Sequence, residues 1–294
     1  MNHSVERNSA YKIASIILMV LLAFLFLFPL YWIVTGAFKS SANINSPTPV
    51  WFPTEWTVSN FERLFARRTA PLFELGPLVG PTVPAAIRWL LNTVFMAVMA
   101  MVLTCLTAAM AGYALAKKRF RGRFVLFSLI VCAMALPKQV ILIPLIKEMS
   151  ALHLYDNIWA VIFPTVGWPF GVFLMKQFSE SIPDEILEAA RVDGSGELRT
   201  FATIVFPIIK PGVGALAIFT FINSWNDYFL QLIMLSNGSN FTISLGIATL
   251  QAETSVDMGM LMAGAALAAV PIIAVFLLFQ KYFTQGITMG AVKG

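Results

Sequence analysis

Six long apolar runs divide the sequence, and the first, residues 13–34, contains no charged side chain. A helix needs about 20 mostly apolar residues to cross a hydrocarbon core of roughly 30 Å. The six runs are residues 13–34, 89–116, 124–146, 158–175, 208–235 and 258–283. Because 58% of all residues are hydrophobic and only 12% are charged, the sequence predicts an all-α integral membrane protein with six transmembrane helices.

The first run raises the alternative of a cleaved signal peptide. The apolar core of such a peptide has about 7–15 residues and is followed by small residues at a cleavage site. Residues 13–34 form a longer run and contain "FLFPLYWIV", which offers no such site. We therefore interpret this run as a retained transmembrane helix.

The distribution of Lys and Arg predicts the orientation in the membrane. The loop at 117–123 has five basic residues in seven positions, whereas the loop at 236–257 has none. Short loops rich in Lys and Arg remain in the cytoplasm, and long loops such as 39–88 influence orientation less. Six spans then place both termini in the cytoplasm. The predicted division is an N-terminus (1–12), a six-span domain (13–283) and a C-terminal tail (284–294).

The long external loop at 39–88 is rich in Pro, Gly and aromatic residues. So many prolines exclude one regular helix over its whole length. Two interpretations stay open from composition alone: a docking surface for an external partner, or a connecting loop with no special role.

A charged segment interrupts the apolar pattern between the fourth and fifth spans. Its seven charged residues are Asp184, Glu185, Glu188, Arg191, Asp193, Glu197 and Arg199. Burial of all of them at a bilayer centre costs on the order of 20 kcal/mol, at about 2.5–3.5 kcal/mol each. We therefore expect residues 181–207 to lie in the cytoplasm.

The same segment has the signals of a short helix. Ser181 is a candidate N-cap, Pro183 suits the first turn, and Asp184 and Glu185 favour the positive end of the helix dipole. Gly194 follows the last helical residues, where a left-handed conformation favours glycine. Ten or eleven residues predict a rod of roughly 16 Å.

One face of this helix is predicted to contact another protein. Ile186, Ala189, Ala190 and Asp193 share that face, and the two alanines permit close approach. The alternative is a helix that rests on lipid headgroups, which requires Lys and Arg on the polar face. Here the polar face is mainly acidic, and an acidic face avoids an anionic inner leaflet. A protein partner is therefore favoured.

The stretch "EAARVDG", followed by nine residues and then "IVFP", resembles the EAA motif of ABC-importer permeases. The matching positions are Glu188, Ala189, Ala190, Gly194, Ile204 and Pro207. Phe206 stands where leucine is usual, which is an apolar exchange. The stretches "SWNDYFL", "FPTEWTVSNFERLF" and "GITMGAVKG" are similar to the carbohydrate-uptake branch, specifically the smaller permease of the maltose-type heterodimer. The segment between Ala66 and Arg88 is longer than that branch usually has.

The resemblance implies a type I ABC importer permease in the bacterial inner membrane. Such a permease pairs with a second, homologous permease, two ATPase subunits and an external sugar-binding protein. The EAA segment then forms a coupling helix on an ATPase subunit, with Glu188 facing a basic group. ATP and Mg²⁺ are bound by the ATPase subunits, so this chain needs no cofactor. The terminal residues that resemble tails reaching the ATPase dimer are Gly290, Ala291, Val292 and Lys293.

Ionisable residues at membrane depth suggest a substrate path. Lys138 interrupts the third span and Asp227 lies in the fifth, and such residues are costly in lipid and usually functional. Both are expected to face a wet cavity in the outer half of the membrane. Planar polar groups and aromatic faces bind sugars, and the candidates near Asp227 are Asn223, Trp225, Asn226 and Tyr228. The alternatives are that these residues make interhelical hydrogen bonds or shape a kink, and that Lys138 contacts lipid headgroups.

The sequence lacks the motifs that would indicate several other functions. No G-x-x-x-x-G-K-[ST] occurs, so ATP hydrolysis is expected in separate subunits and not in this chain. His3 and His153 have no partners at ligand spacing, so no metal site is predicted. Cys105 and Cys132 are expected to be buried free thiols. The net charge of +5 is gathered at the ends of apolar runs, which indicates membrane topology rather than nucleic-acid binding.

Three alternative functions stay open. One is an ABC permease for another solute, such as a phosphorylated polyol, which would be driven by ATPase subunits in the same way. An ion-coupled secondary transporter is disfavoured, because the sequence has no internal repeat and that mechanism has no use for a cytoplasmic helix. A membrane protein without transport activity is disfavoured by Lys138 and Asp227 within spans.

Overall fold

The computed structural model describes residues 3–75, 77–253 and 257–291, with side chains for 11–74, 77–252 and 257–280. Its helices are α1 (His3–Ala37), α2 (Ser41–Ile44), α3 (Ser59–Arg67), α4 (Ala85–Lys117), α5 (Arg123–Ala133), α6 (Leu142–Ala151), α7 (Trp159–Val166), α8 (Pro169–Glu180), α9 (Asp184–Val192), α10 (Glu197–Thr200), α11 (Phe206–Asn226), α12 (Tyr228–Met234), α13 (Ile243–Glu253) and α14 (Met258–Ala291). A π-helical stretch, Phe201–Val205, joins α10 to α11, and short 3₁₀ helices occupy Lys138–Ile141 and Gly238–Asn240.

Four helical segments of the described chain are long and apolar enough to cross a membrane, and two bent helix pairs bring the number to as many as six. The four are Tyr11–Ala37, Ala85–Lys117, Glu197–Asn226 and Met258–Gln280. These segments and pairs overlap the six predicted apolar runs, although the fifth segment, predicted at 208–235, is Glu197–Asn226 and ends at the break before α12. The predicted fold class, an all-α membrane protein, is therefore confirmed for the spanning part.

Prolines cause both bends. The pair α5 and Lys138–Ala151 bends by 106°, because Pro137 disfavours helical conformation in the residue before it. The pair α7 and α8 bends by 40° at Gly167 and Trp168, and Pro169 then starts α8. Non-helical backbone at membrane depth is tolerated where it contacts protein or a cavity. Both bends are therefore expected to lie against protein or beside a cavity.

Helix α4 lies at the centre of the bundle and packs against α7, α8 and α11. Gly112 permits close contact of α4 with the backbone of α8, because a Cβ atom there would lie 2.6 Å from the backbone nitrogen of Lys176. One apolar cluster surrounds Trp89 near the start of α4, and a second surrounds Tyr113 near its end. The second cluster includes Leu187 of α9, so the charged segment is packed onto the bundle.

The long loop at 39–88, which the sequence predicts to be external, contains more regular structure than the sequence indicated. Helix α3 occupies a proline-free stretch, and four short strands follow it: β1 (Thr69–Pro71), β2 (Glu74–Leu75), β3 (Leu78–Val79) and β4 (Thr82–Pro84). Antiparallel pairing of β1 with β4 and of β2 with β3 forms a hairpin. This hairpin lies within the segment between Ala66 and Arg88 and is an addition to the predicted all-α fold.

The loop is fastened to the membrane helices. The buried side-chain amide of Asn60 donates to the carbonyls of Ala37 and Lys39, at 2.9 and 2.8 Å. Arg63 pairs with Asp257 at 3.0 Å, which joins α3 to the start of α14. The loop is therefore a docked layer over one end of the bundle.

Both cysteines are free thiols, as predicted, but only Cys105 is buried. The predicted burial of Cys132 is wrong, because its apolar run turns this side chain outward on α5. The apolar sequence around each thiol thus predicted a membrane helix, but it did not predict which face of that helix is buried.

Candidate functional site

The charged segment forms helix α9, which begins two residues later than predicted. Ser181 is not its N-cap, because its hydroxyl donates to the carbonyl of Phe178 at 2.8 Å and closes the preceding helix. Pro183 occupies the N-cap position, and Asp184 and Glu185 lie in the first turn. Nine residues give a rod of about 14 Å, slightly shorter than expected.

Helix α9 ends in a Schellman motif at Gly194. The Ser195 amide donates to the carbonyl of Ala190 at 2.9 Å, and the Gly194 amide donates to that of Arg191 at 3.0 Å. Gly194 has φ +73°, a left-handed conformation that favours glycine. The predicted glycine stop is confirmed, and it reverses the chain toward α10.

One face of α9 packs against the rest of the chain, and the other face is exposed. Leu187 and Ala190 are 4% and 5% exposed and pack within the chain. Glu188 and Ala189 are exposed. Of the predicted contact face, Ala190 is therefore covered by the chain itself, whereas Ile186, Ala189 and Asp193 are accessible.

Two lysines at the end of α4 bind the charged segment. Lys117 Nζ pairs with Asp184 at 2.8 Å and donates to the carbonyl of Ile182 at 2.6 Å. Lys118 pairs with Glu197 on α10 and lies 5.0 Å from the ring centroid of Tyr113. In the sequence these lysines indicate only membrane topology, because no local pattern identifies partners 67 and 79 residues away.

These contacts change the ionisation of the segment. Hydrogen bonding and charge from Lys117 lower the pKa of Asp184, and the hydrogen bond from Lys118 lowers that of Glu197. Burial lowers the pKa of Lys118, but its hydrogen bond to Glu197 and its closeness to Tyr113 outweigh this effect, so its pKa is raised. The charged forms of all three residues are favoured at neutral pH.

The remaining motif residues lie where the segment joins the fifth span. Ile204 is half-buried in the π-helical stretch, and Pro207 is exposed at the start of α11. Of the predicted tail contacts, Gly290 and Ala291 belong to the last turn of α14. Val292 and Lys293 lie outside the described residues.

A second feature is a cavity of about 440 Å³ at which three helix breaks meet. The break between α5 and α6 contributes Leu136 and Lys138, the bend between α7 and α8 contributes Trp168, and the junction of α11 and α12 contributes Asp227. The interrupted spans therefore open onto one shared space.

Lys138 and Asp227 form an ion pair in this cavity, with Nζ and Oδ2 3.3 Å apart. The other Asp227 oxygen accepts the amide of Leu230 at 3.4 Å and caps α12. Lys138 also lies 6.0 Å from the ring centroid of Trp168. The pair neutralises both charges, and Lys138 and Asp227 are the charged residues among those that line the cavity.

The structure brings together three of the predicted path residues, Lys138, Asn223 and Asp227. Asn223 and Asp227 are four apart and share a helix face. The expectation that Trp225 offers an aromatic face is wrong, because it is 2% exposed and packs against Phe221 at 5.5 Å between ring centroids.

Two other predicted path residues point away from the cavity. Asn226 donates to the carbonyl of Ile222 at 3.0 Å, within its own helix. Tyr228 packs against the larger apolar cluster. The predicted alternative of interhelical hydrogen bonds is wrong for these two residues, because the Asn226 bond lies within one helix. Both residues flank the break between α11 and α12, as the alternative of a kink expects.

Aromatic surface in the cavity comes from residues that the sequence analysis did not select. Trp168 and Phe170 lie at the bend between α7 and α8, and Phe229 lies on α12. The stretch Gly167-Trp168-Pro169 carried a signal, because a glycine and a proline around an aromatic residue mark an irregular backbone within a span.

Comparison with known proteins places the chain among transport permeases. The family model described as "Binding-protein-dependent transport system inner membrane component" matches residues 105–289. The arabinooligosaccharides transport system permease protein AraQ of Bacillus subtilis (strain 168) is 33% identical over 286 residues, 97% of each chain. The maltodextrin transport system permease protein MdxG of the same organism is 30% identical over 292 residues, 96% of each chain.

One solved structure shares the fold over nearly the whole chain. It belongs to a bacterial ABC transporter involved in the import of the acidic polysaccharide alginate. The TM-score is 0.77 at 23% sequence identity, and the match covers 94% of this chain and 98% of the other. This likeness supports the arrangement of bent spans described above.

Proposed function

The chain belongs to the binding-protein-dependent transport system inner membrane components, and from this premise we propose that it is one of two permease subunits of an ATP-driven importer. As a multi-pass membrane permease, it is a transport subunit and not an enzyme. Its partners under this proposal are a second, homologous permease, two ATPase subunits that bind ATP and Mg²⁺, and an external binding protein. The distribution of basic residues supports an inner-membrane topology with both termini in the cytoplasm.

The observation that carries the proposal is the exposed surface of α9 beside its firm attachment to α4. Glu188 and Ala189 are accessible to a partner, while Leu187 and Lys117 bind the helix to the bundle. A partner that moves α9 therefore moves α4 with it. ATP-driven closure of two ATPase subunits is such a movement, and it switches the spans between two states as rigid bodies.

The proposed cargo is an oligosaccharide without net charge. The relatives named above carry arabinooligosaccharides and maltodextrin. A cavity of about 440 Å³ with Trp168 and Asn223 on its wall suits a sugar, since aromatic faces and planar amides bind sugar rings. The pair of Lys138 and Asp227 leaves no uncompensated charge in the cavity wall to attract an anion.

The proposed ATP-driven mechanism is tested by transport into proteoliposomes. The purified permease pair, ATPase subunits and binding protein are reconstituted, and we expect sugar uptake that requires ATP and is inhibited by vanadate. Glu188→Lys is expected to lower uptake at least about tenfold, because like charges across an interface are strongly unfavourable. Glu185→Lys, an exposed carboxylate in the first turn of α9, is the matched control. Uptake driven by an ion gradient without ATP would contradict the proposal.

The cargo is tested separately with radiolabelled neutral oligosaccharides and a uronic-acid oligosaccharide of equal length. We expect transport of neutral sugars by the wild type. Asp227→Asn leaves Lys138 unpaired and is expected to admit the acidic sugar better than the wild type does. Preference of the wild type for the acidic sugar would overturn the cargo assignment and leave the ATP-driven mechanism intact.

A further inference from the structure

Lys39 is a buried cation without an anionic partner. It lies two residues beyond the last residue of α1, Ala37, and is 2% exposed. Its Nζ lies 4.0 Å from the ring centroid of Trp32. Within the described part of the chain, Nζ donates to no oxygen acceptor and pairs with no carboxylate. An ammonium on a side chain with so little access to water is costly unless another group satisfies it.

The ammonium faces a pocket of about 250 Å³. The pocket lies between the end of α1, helix α2 and the start of α14. Its apolar walls are formed by Pro47, Pro49, Val50, Met258 and Met262. Ser46 adds a hydroxyl, and this hydroxyl lies 3.3 Å from that of Thr48. One buried positive charge in a mostly apolar pocket suits an amphipathic anion.

The electrostatic state of Lys39 agrees with a missing anion. Burial lowers the pKa of Lys39, and no neighbouring carboxylate acts against this effect. An anion within hydrogen-bonding distance would favour the charged ammonium. A ligand that supplies one negative charge and an apolar body would therefore satisfy the site.

The surrounding aromatic residues are of the kind expected at the depth of lipid headgroups. Tyr31 donates its hydroxyl to the carbonyl of Trp51 at 2.5 Å, and the rings of Trp32 and Trp51 are 6.0 Å apart. Trp51 and Phe52 are 54% and 69% exposed. Such aromatic belts lie at membrane–water interfaces. This belt lies at the end of α1, where the docked external loop begins and away from α9.

We propose that this pocket binds the phosphodiester group of a phospholipid in the outer leaflet. Lys39 donates to a phosphate oxygen, and the apolar walls contact the glycerol and the first acyl carbons. A carboxylate from a protein partner fits less well, because most of the pocket wall is apolar and lies at headgroup depth. The site is independent of the proposed sugar transport.

The test is native mass spectrometry of the purified, complete transporter with defined lipids. Phosphatidylglycerol and phosphatidylethanolamine carry the phosphodiester, monogalactosyldiacylglycerol lacks it, and inorganic phosphate tests a free anion. We expect the wild type to retain both phospholipids in preference to the glycolipid. Lys39→Met is expected to weaken this retention by about tenfold or more, the effect of losing a charge-assisted hydrogen bond. Lys39→Arg is expected to preserve it.

Two further variants make the result specific. Lys147→Met removes an exposed lysine on α6 and is expected to bind lipid as the wild type does. Val50→Trp narrows the pocket without removing the ammonium and is expected to reduce retention as Lys39→Met does. Equal retention of the glycolipid by the wild type, displacement of lipid by inorganic phosphate, or wild-type retention by Lys39→Met would each overturn the proposal.

Discussion

Lys117 and Asp184 form a salt bridge of 2.8 Å that connects the end of a membrane-spanning helix to the first turn of α9. The lysine side chain is 10% exposed and also donates to the carbonyl of Ile182 at 2.6 Å. An exposed ion pair alone contributes little. Here the lysine is mostly covered and satisfies a backbone carbonyl, so the contact fixes α9 relative to α4.

Under the proposed ATP-driven import, removal of this contact should loosen the link between ATP hydrolysis and transport. Lys117→Met keeps most of the apolar stem and removes the ammonium. We expect uptake per ATP hydrolysed to fall about 2- to 30-fold in proteoliposomes, the range found when residues between coupled sites are changed. Arg121→Met removes an exposed charge from the same loop and should have no such effect. An equal loss in both variants would assign the effect to loop charge and not to the salt bridge.

Acid should release α9 at a predictable pH. The pKa values of Asp184 and Glu197 are lowered in the folded protein, so each carboxylate stabilises the attachment above its ordinary pKa of about 4. This contribution is lost as the pH falls through the lowered values. The pKa of Lys118 is raised, so its contribution is full below about 10.4 and is lost above that.

A spin label at Val192, which is 88% exposed, measures this release. The label requires prior replacement of Cys105 and Cys132 by alanine. We expect constant mobility from about pH 5.5 to 8 and a rise below about pH 4, where the paired carboxylates become protonated. The double variant Lys117→Met/Lys118→Met should be mobile over the whole range. A transition centred near pH 6.5 would contradict this assignment.

The conformation of Gly194 predicts a contrast between two glycines of one turn. Gly194 has φ +73° and Gly196 has φ −69°, and an added Cβ meets nothing within 4 Å at either position. Valine at 194 is strained by roughly 1–3 kcal/mol because of the backbone alone. We expect Gly194→Val to lower ATP-driven uptake, Gly194→Asn to lower it less, and Gly196→Val to leave it unchanged. Similar losses of uptake in Gly194→Val and Gly196→Val would show that side-chain size, and not backbone conformation, causes the effect.

The sequence predicted α9 well, because its signals are local. The acidic first turn, the glycine stop and the charge pattern all lie within residues 181–200. The lysines that bind it come from a different helix, and only the folded bundle brings them near. Ser181 was misassigned because a serine between two helices suits the end of one and the start of the next.

Prediction of the cavity was partial for a related reason. Composition located ionisable residues at Lys138 and Asp227 but gave no information on their pairing across 89 residues. Around Asp227, helical periodicity separates Asn223 from Trp225, since positions two apart lie on nearly opposite faces. Which face meets the cavity depends on the 106° bend after α5, whose size the sequence does not specify.

The ion pair in the cavity predicts a double-mutant result. Lys138→Met leaves the carboxylate of Asp227 uncompensated, and Asp227→Asn leaves the ammonium. Each single variant should reduce uptake of a neutral sugar, because an unpaired charge at membrane depth is costly. The double variant Lys138→Met/Asp227→Asn restores electrical balance, so we expect it to transport better than either single variant.

Separate kcat and KM values for uptake show what the pair does. Restoration in kcat means that the pair stabilises one state of the cavity during the transport cycle, while restoration in KM means that it shapes the sugar site. Asn223→Ala, which removes a neighbouring amide and no charge, serves as the control and should not interact with either change. Additive losses in the double variant would show that the two residues act separately, since coupled neighbours depart from additivity by about 0.5–3 kcal/mol.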